Sequence, residues 1–402
     1  MARSESAMER ARTSEYPYMT KGRVETIDVF RGIAILLVVL FHFTARLPAE
    51  SLNIAEGAPW KVFFGWVGVY FFFIISGYCI YMTLERSATV GVFLSRRFSR
   101  IYPAFFAAVL LLFIFGVVFQ VPSVPAAHFR AVEPGLGDVA LNLFFLGEIG
   151  EWVDGAFWSI AVEIKFYLLI AILAAVLVSP EKLTRAFAWL AIVMAPIWMA
   201  STLISDTSAG PINPQSMLKF LAIAPYLSFF AVGILGRRIQ QGALGYRGLI
   251  TANLVLSTLV VGIEAYSFEN HDGLIVALVC AMVYLALALV FLAYVTGRDL
   301  PHVPVLTPAV ARVGLLSFSW YLIHENVGLS FLATFDRFMP AWLALILVTA
   351  TTFCMAVVFS ALFEHRFRKP VGKFAMAILD WLGSRFNALK SLRATPATQP
   401  AE

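Results

Sequence analysis

Charged residues are scarce in this sequence. Asp, Glu, Lys and Arg make up 14 % of its 402 residues, whereas apolar residues make up 60 %. About a quarter of the residues in a typical soluble domain are charged, so this composition excludes a soluble enzyme. It predicts an all-α polytopic membrane protein that lies in a lipid bilayer.

Cysteine is scarce as well. Cys79, Cys280 and Cys354 each lie inside an apolar run. An odd number of thiols in such surroundings argues for packing, and against disulfides, a metal site or a thiol nucleophile. We therefore expect no bound metal.

The sequence also lacks an internal repeat, a soluble domain and a cleavage site after its first apolar segment, which we expect to remain as a start-transfer helix. We expect a cytoplasmic polar tail over residues 1–24, a ten-helix membrane domain over 25–370 and a cytoplasmic part over 371–402. In that last part, residues 373–390 place apolar side chains at helical spacing between Lys and Arg, which predicts a helix on the inner membrane surface. The tail after Arg393 is predicted to be disordered.

Ten apolar runs are long enough to cross a bilayer. They lie at about residues 27–45, 60–84, 102–121, 156–179, 186–204, 217–236, 248–267, 273–296, 313–333 and 341–363. Ten crossings put both termini on one side, and the loops on that side hold 23 of the 30 Lys and Arg residues, against 5 on the other. By the positive-inside rule, both termini are predicted to be cytoplasmic. This distribution explains the net charge of +5, and we expect no nucleic-acid partner.

The first span contains three ionisable residues, Asp28, Arg31 and His42. On a helix, Arg31 and His42 differ by about 20° in azimuth and Asp28 lies within about 60° of both, so the three form one stripe. Ionisable residues within a span are costly and are functional candidates, which predicts that the stripe lines a polar cavity. The alternative is that Asp28 and Arg31 cap the inner end while His42 lies at the outer interface.

Span four also carries polar residues on one face. Ser159, Glu163 and Tyr167 follow the spacing i, i+4, i+8, and we interpret Glu163 as functional. Lys165 points away from that face and needs a partner of its own, and its role stays open.

Span nine carries a third polar stripe, at spacing i, i+4, i+7. Its residues are Ser317, Tyr321 and His324. His324, near mid-bilayer, is either a hydrogen-bonded packing residue or functional. Positions along the spans predict an order of depth, with Arg31 near the inner face, His324 in the middle, Glu163 higher and His42 close to the outer face.

Two loops have unusual compositions. The inner loop after span two carries Arg96, Arg97 and Arg100, which are either positive-inside anchors or partners for phosphate, because Arg forks pair with phosphate oxygens. The outer loop at about 122–155 is acidic and contains an apolar stretch, 139–146, that is too short to span and predicts a re-entrant or interfacial segment. This loop is either a structured connection or a lid over the cavity.

Five motifs resemble those of the acyltransferase 3 family of integral membrane O-acyltransferases, in the family's order and from about residue 25 to 370. They are I-D-V-F-R-G-I-A from Ile27 with His42 after it, F-F-I-I-S-G from Phe72, R-R-F-S-R-I-Y-P from Arg96, W-S-I-A-V-E-I-K-F-Y from Trp158 and S-F-S-W-Y-L-I-H from Ser317. Asn326 stands where a proline often follows the span-nine His, and Glu364-His365-Arg366 replaces E-x-P. We interpret the charges there as surface anchors. The chain resembles the stand-alone members, which lack a fused extracellular hydrolase domain.

The resemblance implies a bacterial inner-membrane enzyme that transfers an acyl group, most often acetyl, from acyl-CoA to a hydroxyl of a carbohydrate or glycoside, such as a cell-surface polysaccharide. His42 would be the general base, and Glu163 would orient or charge-stabilise His42, or help to position the acceptor. The cationic group of Arg31, Arg97 and Arg100 would hold the CoA phosphates. The implied residues are His42, Glu163 and Arg31 as catalytic, Arg96, Arg97 and Arg100 as acyl-CoA-binding, and Asp28, Trp158, Ser159, Tyr167, Tyr321 and His324 as substrate-binding, with Asp28 fixing Arg31.

Two other classes stay open. One is a transporter or flippase of an acylated or glycan substrate, although such proteins often show inverted repeats. The other is a protein that feeds acyl groups to a separate extracellular transferase. The sequence does not decide the acceptor, the acyl group, the side of the membrane on which transfer occurs or whether the chain forms a homo-oligomer.

Overall fold

The computed structural model describes residues 21–46, 61–119, 134–177, 179–204, 214–268, 273–298 and 301–393. These residues are 85 % helical and contain no strand, so the predicted all-α class is confirmed. Most of the predicted polar tail and all of the tail after Arg393 lie outside the described residues.

The described helices are numbered here in chain order. They are α1 (Lys21–Thr44), α2 (Val67–Glu85), α3 (Val90–Phe119), α4 (Leu136–Leu143), α5 (Phe157–Val176), α6 (Pro180–Ile204), α7 (Pro214–Phe220), α8 (Leu227–Gln240), α9 (Arg247–Phe268), α10 (Gly273–Val295), α11 (Leu306–Leu315), α12 (Ser317–Ile323), α13 (Glu325–Phe335), α14 (Ala341–Phe359) and α15 (Arg366–Arg393).

Apolar helices match the predicted membrane crossings. Eight helices are long and apolar enough to cross a bilayer, and the bent pairs α7–α8 and α11–α12 raise the number to ten if each pair is one span. Each of the ten overlaps one of the apolar runs. The prediction of about ten transmembrane helices is therefore confirmed.

The two bent pairs break in different ways, one at a left-handed residue and the other at a residue that stays in the right-handed region. α7 and α8 meet at 48° beside Ile223, whose φ is +47°, a conformation that is sterically costly for a β-branched residue. Pro225 follows and cannot donate a helical hydrogen bond. α11 and α12 meet at 59° around Leu316, which has φ −93° and ψ 0°. The second break lets α12 take its own direction into the bundle.

α1 is enclosed by neighbouring helices and packs against α2, α11, α12 and α13. Glycines bring the backbones of α1 and α11 together, because a Cβ at Gly32 would lie 2.2 Å from the carbonyl oxygen of Val310, and one at Gly314 would lie 1.8 Å from that of Asp28. Small residues allow this close approach between transmembrane helices. The contact fixes the rotation of α1 and therefore the direction in which Arg31 points.

The arginine run lies on a helix rather than in the predicted inner loop. α3 begins at Val90, so Arg96, Arg97 and Arg100 occupy its first turns. Successive residues on a helix differ by about 100° in direction. Arg96 and Arg97 therefore point in different directions. A loop would not have imposed this difference.

The segment after span ten is also more integrated than predicted. α14 continues through a π-helical turn, Ser360–His365, directly into α15. α15 packs against α3, where Ser95 Oγ donates a hydrogen bond to the carbonyl oxygen of Gly372 at 2.9 Å. Glu364 accepts a hydrogen bond from Ser319 Oγ at 2.7 Å, so it ties α12 to the end of span ten and is more than a surface anchor.

The described part of the acidic outer loop, from residue 134 onward, is folded. Its apolar stretch forms the eight-residue helix α4, which is too short to span, as expected. The buried Asn142 amide donates to the carbonyl oxygens of Asp138 and Glu151, and its oxygen accepts from the N–H of Val153. One side chain thus ties α4 to the segment that leads into α5.

We predict that Gly233→Ala will lower the stability of the protein. A Cβ at Gly233 would lie 2.0 Å from the carbonyl oxygen of Ile74 on α2, and overpacking of this kind typically costs about 1–3 kcal/mol. The measurement is the apparent unfolding temperature in detergent. At Gly262 nothing lies within 4 Å, so Gly262→Ala should leave that temperature unchanged or raise it. Equal falls in both variants would contradict close packing of α2 on α8.

Candidate active site

A cavity of about 320 Å³ lies between α1, α2, α3, α5 and α12. This volume is at the low end of the range for small-molecule sites. Its polar and charged lining residues are Asp28, Arg31, Ser76, Tyr78, Cys79, Thr83, Arg97, Arg100, Ser159, Glu163, Tyr167, Tyr294, Ser317 and Tyr321. The stripe predicted on span one therefore does line a polar cavity at its Asp28–Arg31 end.

Three arginines give one part of this cavity an excess of positive charge. Arg31 is paired with Asp28, with 3.6 Å between Nη1 and Oδ1, as the i, i+3 spacing predicted. Arg97 is 9 % exposed; its Nη2 donates to Thr83 Oγ1 at 2.5 Å, and its Nε has no partner. Among the described residues, neither Arg97 nor Arg100 has a carboxylate within ion-pair distance. Because an unpaired buried charge is costly, this part of the cavity is suited to an anionic ligand.

Glu163 lies in the same cavity and is held by hydroxyl groups. Ser76 Oγ and Tyr167 Oη each donate to its Oε1 at 2.5 Å. These contacts place its carboxylate in the arginine cavity, and no hydrogen bond or ion pair joins it to His42 among the described residues. The predictions that Glu163 orients or charge-stabilises His42 therefore gain no support from this geometry, and its role in positioning the acceptor stays a prediction. Its carboxylate is available to contact a ligand there.

Two hydroxyl groups form the far end of the cavity. Ser159 Oγ and Tyr321 Oη are 2.6 Å apart and form a hydrogen bond in which one hydroxyl donates to the other; the accepting hydroxyl is left free to donate to the carbonyl oxygen of Ala156, which lies 3.1 Å from Ser159 Oγ and 3.0 Å from Tyr321 Oη. Tyr321 packs against His324, with 5.4 Å between ring centroids. From the contact between Ser159 and Tyr321, His324 lies one turn further toward His42. Glu163 lies one turn from Ser159 in the opposite direction, toward Arg31. The predicted order of depth is therefore wrong for this pair, and Glu163 lies nearer to Arg31 than His324 does.

His42 lies beyond this end, in a cluster of buried polar groups. Its Nδ1 is 2.8 Å from the carbonyl oxygen of Val38 and 3.2 Å from His324 Nε2. Its Nε2 is 3.4 Å from Glu325 Oε2, and Arg46 Nε is 3.8 Å from the other oxygen of Glu325. His42 is 8 % exposed, whereas the Arg46 side chain is 40 % exposed, so the cluster reaches the surface at Arg46.

The hydrogen-bond partners assign the tautomers of both histidines. His324 Nδ1 is 2.8 Å from the carbonyl oxygen of Tyr321, so this nitrogen carries a proton and Nε2 is the acceptor. His42 Nδ1 then donates to Val38 and His324. In the neutral ring, His42 Nε2 is consequently the basic nitrogen, which is the atom that a general base needs.

Asp154, in the segment before α5, completes this cluster. It is fully buried, and its two oxygens accept hydrogen bonds from the N–H groups of Ala156 and Asn326 at 3.0 and 3.1 Å. Burial, and secondly the negative charge of Glu325, raise the pKa of Asp154 well above its ordinary value. Backbone N–H groups thus occupy both oxygens of Asp154, whereas Glu325 Oε2 lies beside His42.

The acyltransferase domain family matches residues 24–363. The chain belongs to the acyltransferase 3 family. It is similar to peptidoglycan O-acetyltransferase OatA of Listeria monocytogenes, with 22 % identity over 306 residues, which is 68 % of this chain and 45 % of OatA. It is also similar to BcsY of Komagataeibacter xylinus, named as a membrane-bound transacylase, with 31 % identity over 177 residues, 40 % of each chain. The chain thus spans less than half the length of these relatives. No solved structure matches it.

This result confirms the family inferred from the five motifs and supports an enzyme rather than a transporter. Four residues that those motifs singled out do not line the cavity. His42 and His324 form the cluster beyond its far end. Arg96 is exposed, and its Nη1 donates to the carbonyl oxygen of Arg86 and to Ser87 Oγ. Trp158 packs among aromatic rings, including Phe73. Because Arg96 and Trp158 belong neither to the cavity nor to the histidine cluster, we retain neither as a candidate ligand-binding residue.

Glu325 was missed as a site residue by the sequence reasoning. It follows directly after His324 inside an apolar span, and its side chain is 2 % exposed. An acidic residue in such a position is itself a functional signal. The acyltransferase 3 motifs drew attention to Glu163, which has the same charge and lies on a helix that faces the same interior.

Lys165, whose role the sequence left open, has a definite partner. Its Nζ forms an ion pair with Glu148 in the segment after α4, and both side chains are largely buried. Lys165 therefore fixes the outer segment to α5. It does not line the arginine cavity.

We predict that Lys165→Met will lower the unfolding free energy by about 3 kcal/mol, because it leaves Glu148 buried without a countercharge. The double variant Lys165→Met/Glu148→Gln should recover most of this loss, since it removes both charges. Thermal or denaturant unfolding in detergent measures the effect. A double variant as unstable as the single one would show that the pair is not what fixes this segment.

Proposed function

We propose that this protein is a membrane O-acetyltransferase that transfers an acetyl group from acetyl-CoA to a hydroxyl of a carbohydrate or glycoside, such as a cell-surface polysaccharide. Membership of the acyltransferase 3 family supports acyl transfer. The printed name of OatA, a peptidoglycan O-acetyltransferase, supports acetyl as the group and a glycan as the acceptor. The observation that carries the proposal is a buried arginine with an unpartnered Nε in a cavity that ends beside a histidine pair.

The donor site is the arginine part of the cavity. Arg97 and Arg100 lack carboxylate partners among the described residues, and Arg31 lies beside them. Guanidinium groups in this arrangement suit phosphate oxygens. The cavity continues past Glu163 to Ser159 and Tyr321, so a thioester arm anchored by its phosphates points toward the histidine pair.

The orientation of the chain follows from charge and from the source of the donor. The excess of Lys and Arg on one side favours cytoplasmic termini in a bacterial inner membrane. The Arg31 end of α1 then faces the cytoplasm, where acetyl-CoA is made, and the His42 end faces outward. This arrangement brings a cytoplasmic donor and an external acceptor together within the bundle. We propose the same boundaries as above, with the catalytic domain over 25–370 between two cytoplasmic ends.

His42 is the proposed general base. Its Nε2 takes the proton of the acceptor hydroxyl as the hydroxyl oxygen attacks the thioester carbon, and the thiolate of CoA leaves. Buried surroundings limit hydrolysis of the thioester by water. The contacts from Val38 and His324 hold the imidazole in the tautomer that this step requires.

The acceptor can be identified by comparing surface glycans of a deletion strain with those of the wild type by mass spectrometry. We expect acetyl groups, about 42 Da each, to be missing from one glycan class. Glycans with unchanged masses in the deletion strain would contradict the proposed function.

We predict that His42→Ala will lower the rate of CoA release from acetyl-CoA in the presence of acceptor by at least about 10²-fold, since general-base catalysis contributes about 10²–10⁴-fold. The amount of protein in the membrane should not change. His302, which is exposed, provides the matched control, and His302→Ala should retain wild-type turnover. Near-normal turnover of His42→Ala would remove His42 from the mechanism.

We predict that Arg97→Ala will raise the KM for acetyl-CoA about tenfold or more, because a charge-assisted contact to phosphate contributes about 1.5–3 kcal/mol. Arg96→Ala, one residue away, should leave this KM unchanged because Arg96 points away from the cavity. Steady-state kinetics with varied acetyl-CoA and fixed acceptor distinguish the two. If both variants alter only the acceptor kinetics, the phosphate assignment is wrong.

A further inference from the structure

We propose that Glu325 is a positioning residue for His42, and that its carboxylate stabilises the imidazolium that forms during acyl transfer. The inference rests on the proposed function, in which His42 is the general base. It goes beyond that function because it assigns a role to a residue outside the motifs discussed above.

The geometry places Glu325 against the basic nitrogen of His42. Val38 and His324 hold a proton on His42 Nδ1, so Nε2 carries the lone pair. Glu325 Oε2 lies 3.4 Å from this Nε2, is buried and has no hydrogen-bond partner among the described residues. Protonation of Nε2 gives this carboxylate oxygen a hydrogen-bond donor directly beside it.

The charges around the pair are consistent with an ionised Glu325. Arg46, at the end of α1, lies 3.8 Å from Oε1. His324 faces His42 with a nitrogen that accepts a hydrogen bond, so it adds no positive charge to compete for the carboxylate. Asp154, from the segment before α5, directs its two oxygens to the N–H groups of Ala156 and Asn326. Among the described groups facing His42, Glu325 therefore provides the negative charge.

Acyl transfer from the thioester to the acceptor hydroxyl conserves all atoms and charges. The acceptor oxygen forms a bond to the thioester carbonyl carbon while the O–H proton moves to His42 Nε2. The C–S bond then breaks, the sulfur keeps the electron pair, and the thiolate of CoA takes the proton back from Nε2. Glu325 exchanges no proton; it stabilises the imidazolium between the two transfers, as charge pairs do strongly at low dielectric.

This role differs from that of the acidic residue in a Ser-His-Asp triad. There, the carboxylate binds Nδ1 and the base acts through Nε2. Here the carbonyl oxygen of Val38 occupies the Nδ1 position, and Glu325 approaches the same nitrogen that receives the proton. The acceptor hydroxyl must therefore approach Nε2 beside the carboxylate, which restricts its direction of attack.

The test is Glu325→Gln, which keeps the shape of the side chain and removes its charge. We expect kcat to fall at least about tenfold, with the KM for acetyl-CoA within about twofold of the wild type. The acidic limb of the kcat–pH profile should move to lower pH by about one unit or more. The sign follows because loss of the negative charge makes His42 harder to protonate. Glu325→Asp, which keeps the charge, should recover part of the rate and of the profile.

Controls separate this role from a structural one. Glu264 is another buried acid, paired with Lys219 at 2.7 Å in a different part of the bundle, so Glu264→Gln should leave the pH profile unchanged. Each variant is checked for monodisperse elution in detergent. In a His42→Ala background, Glu325→Gln should cost no further activity, because residues that act as a unit are not additive.

Two results would overturn the inference. One is a folded Glu325→Gln protein with the wild-type kcat and pH profile. The other is an equal loss from Glu325→Gln in the wild-type and His42→Ala backgrounds, which would mean that Glu325 acts independently of His42. Failure of the proposed function is distinct from both, because it would show as normal turnover in His42→Ala itself.

Discussion

The structure depends on the high free-energy cost of leaving an ionised side chain without a partner inside an apolar helix bundle. Three of its partly buried cations each meet a carboxylate: these pairs are Arg31–Asp28, Lys165–Glu148 and Lys219–Glu264. Arg97 departs from this pattern, since its Nε is buried without a partner among the described residues. That departure is the reason for proposing that Arg97 binds an anionic ligand.

α1 contributes residues to both parts of the candidate site, the arginine cavity and the His42 cluster. Its Arg31 end lines the cavity, and its His42 end meets α12 and α13. The glycine contact between α1 and α11 fixes the rotation of α1 at Gly32 and Gly314. The proposed anion site at Arg31 and the proposed general base His42 are thus held on one helix, about 16 Å apart along its axis.

Much of the fold was predictable because hydropathy alone marks segments that must satisfy their backbone hydrogen bonds in lipid. The Asp28–Arg31 pair was predictable because its spacing lies within one helix. The partners of Glu163 and His42 were not, because they depend on how α5 and α12 sit against α1 and α2. The break at Leu316 carries no proline signal, and yet it decides the direction of α12. Glu325 could have been recognised by its charge alone, although its contact with His42 joins residues far apart in the chain.

The short helix α12 connects the end of the cavity to the histidine pair. It has seven residues and lies between the bend at Leu316 and His324, the residue that separates it from α13. This segment takes part in both the cavity and the His42 cluster. Tyr321 closes the cavity, and His324, directly after α12, contacts His42. A displacement of this one segment would therefore move Tyr321 at the end of the cavity and His324 beside His42 together, which couples the geometry of the cavity to that of the histidine pair.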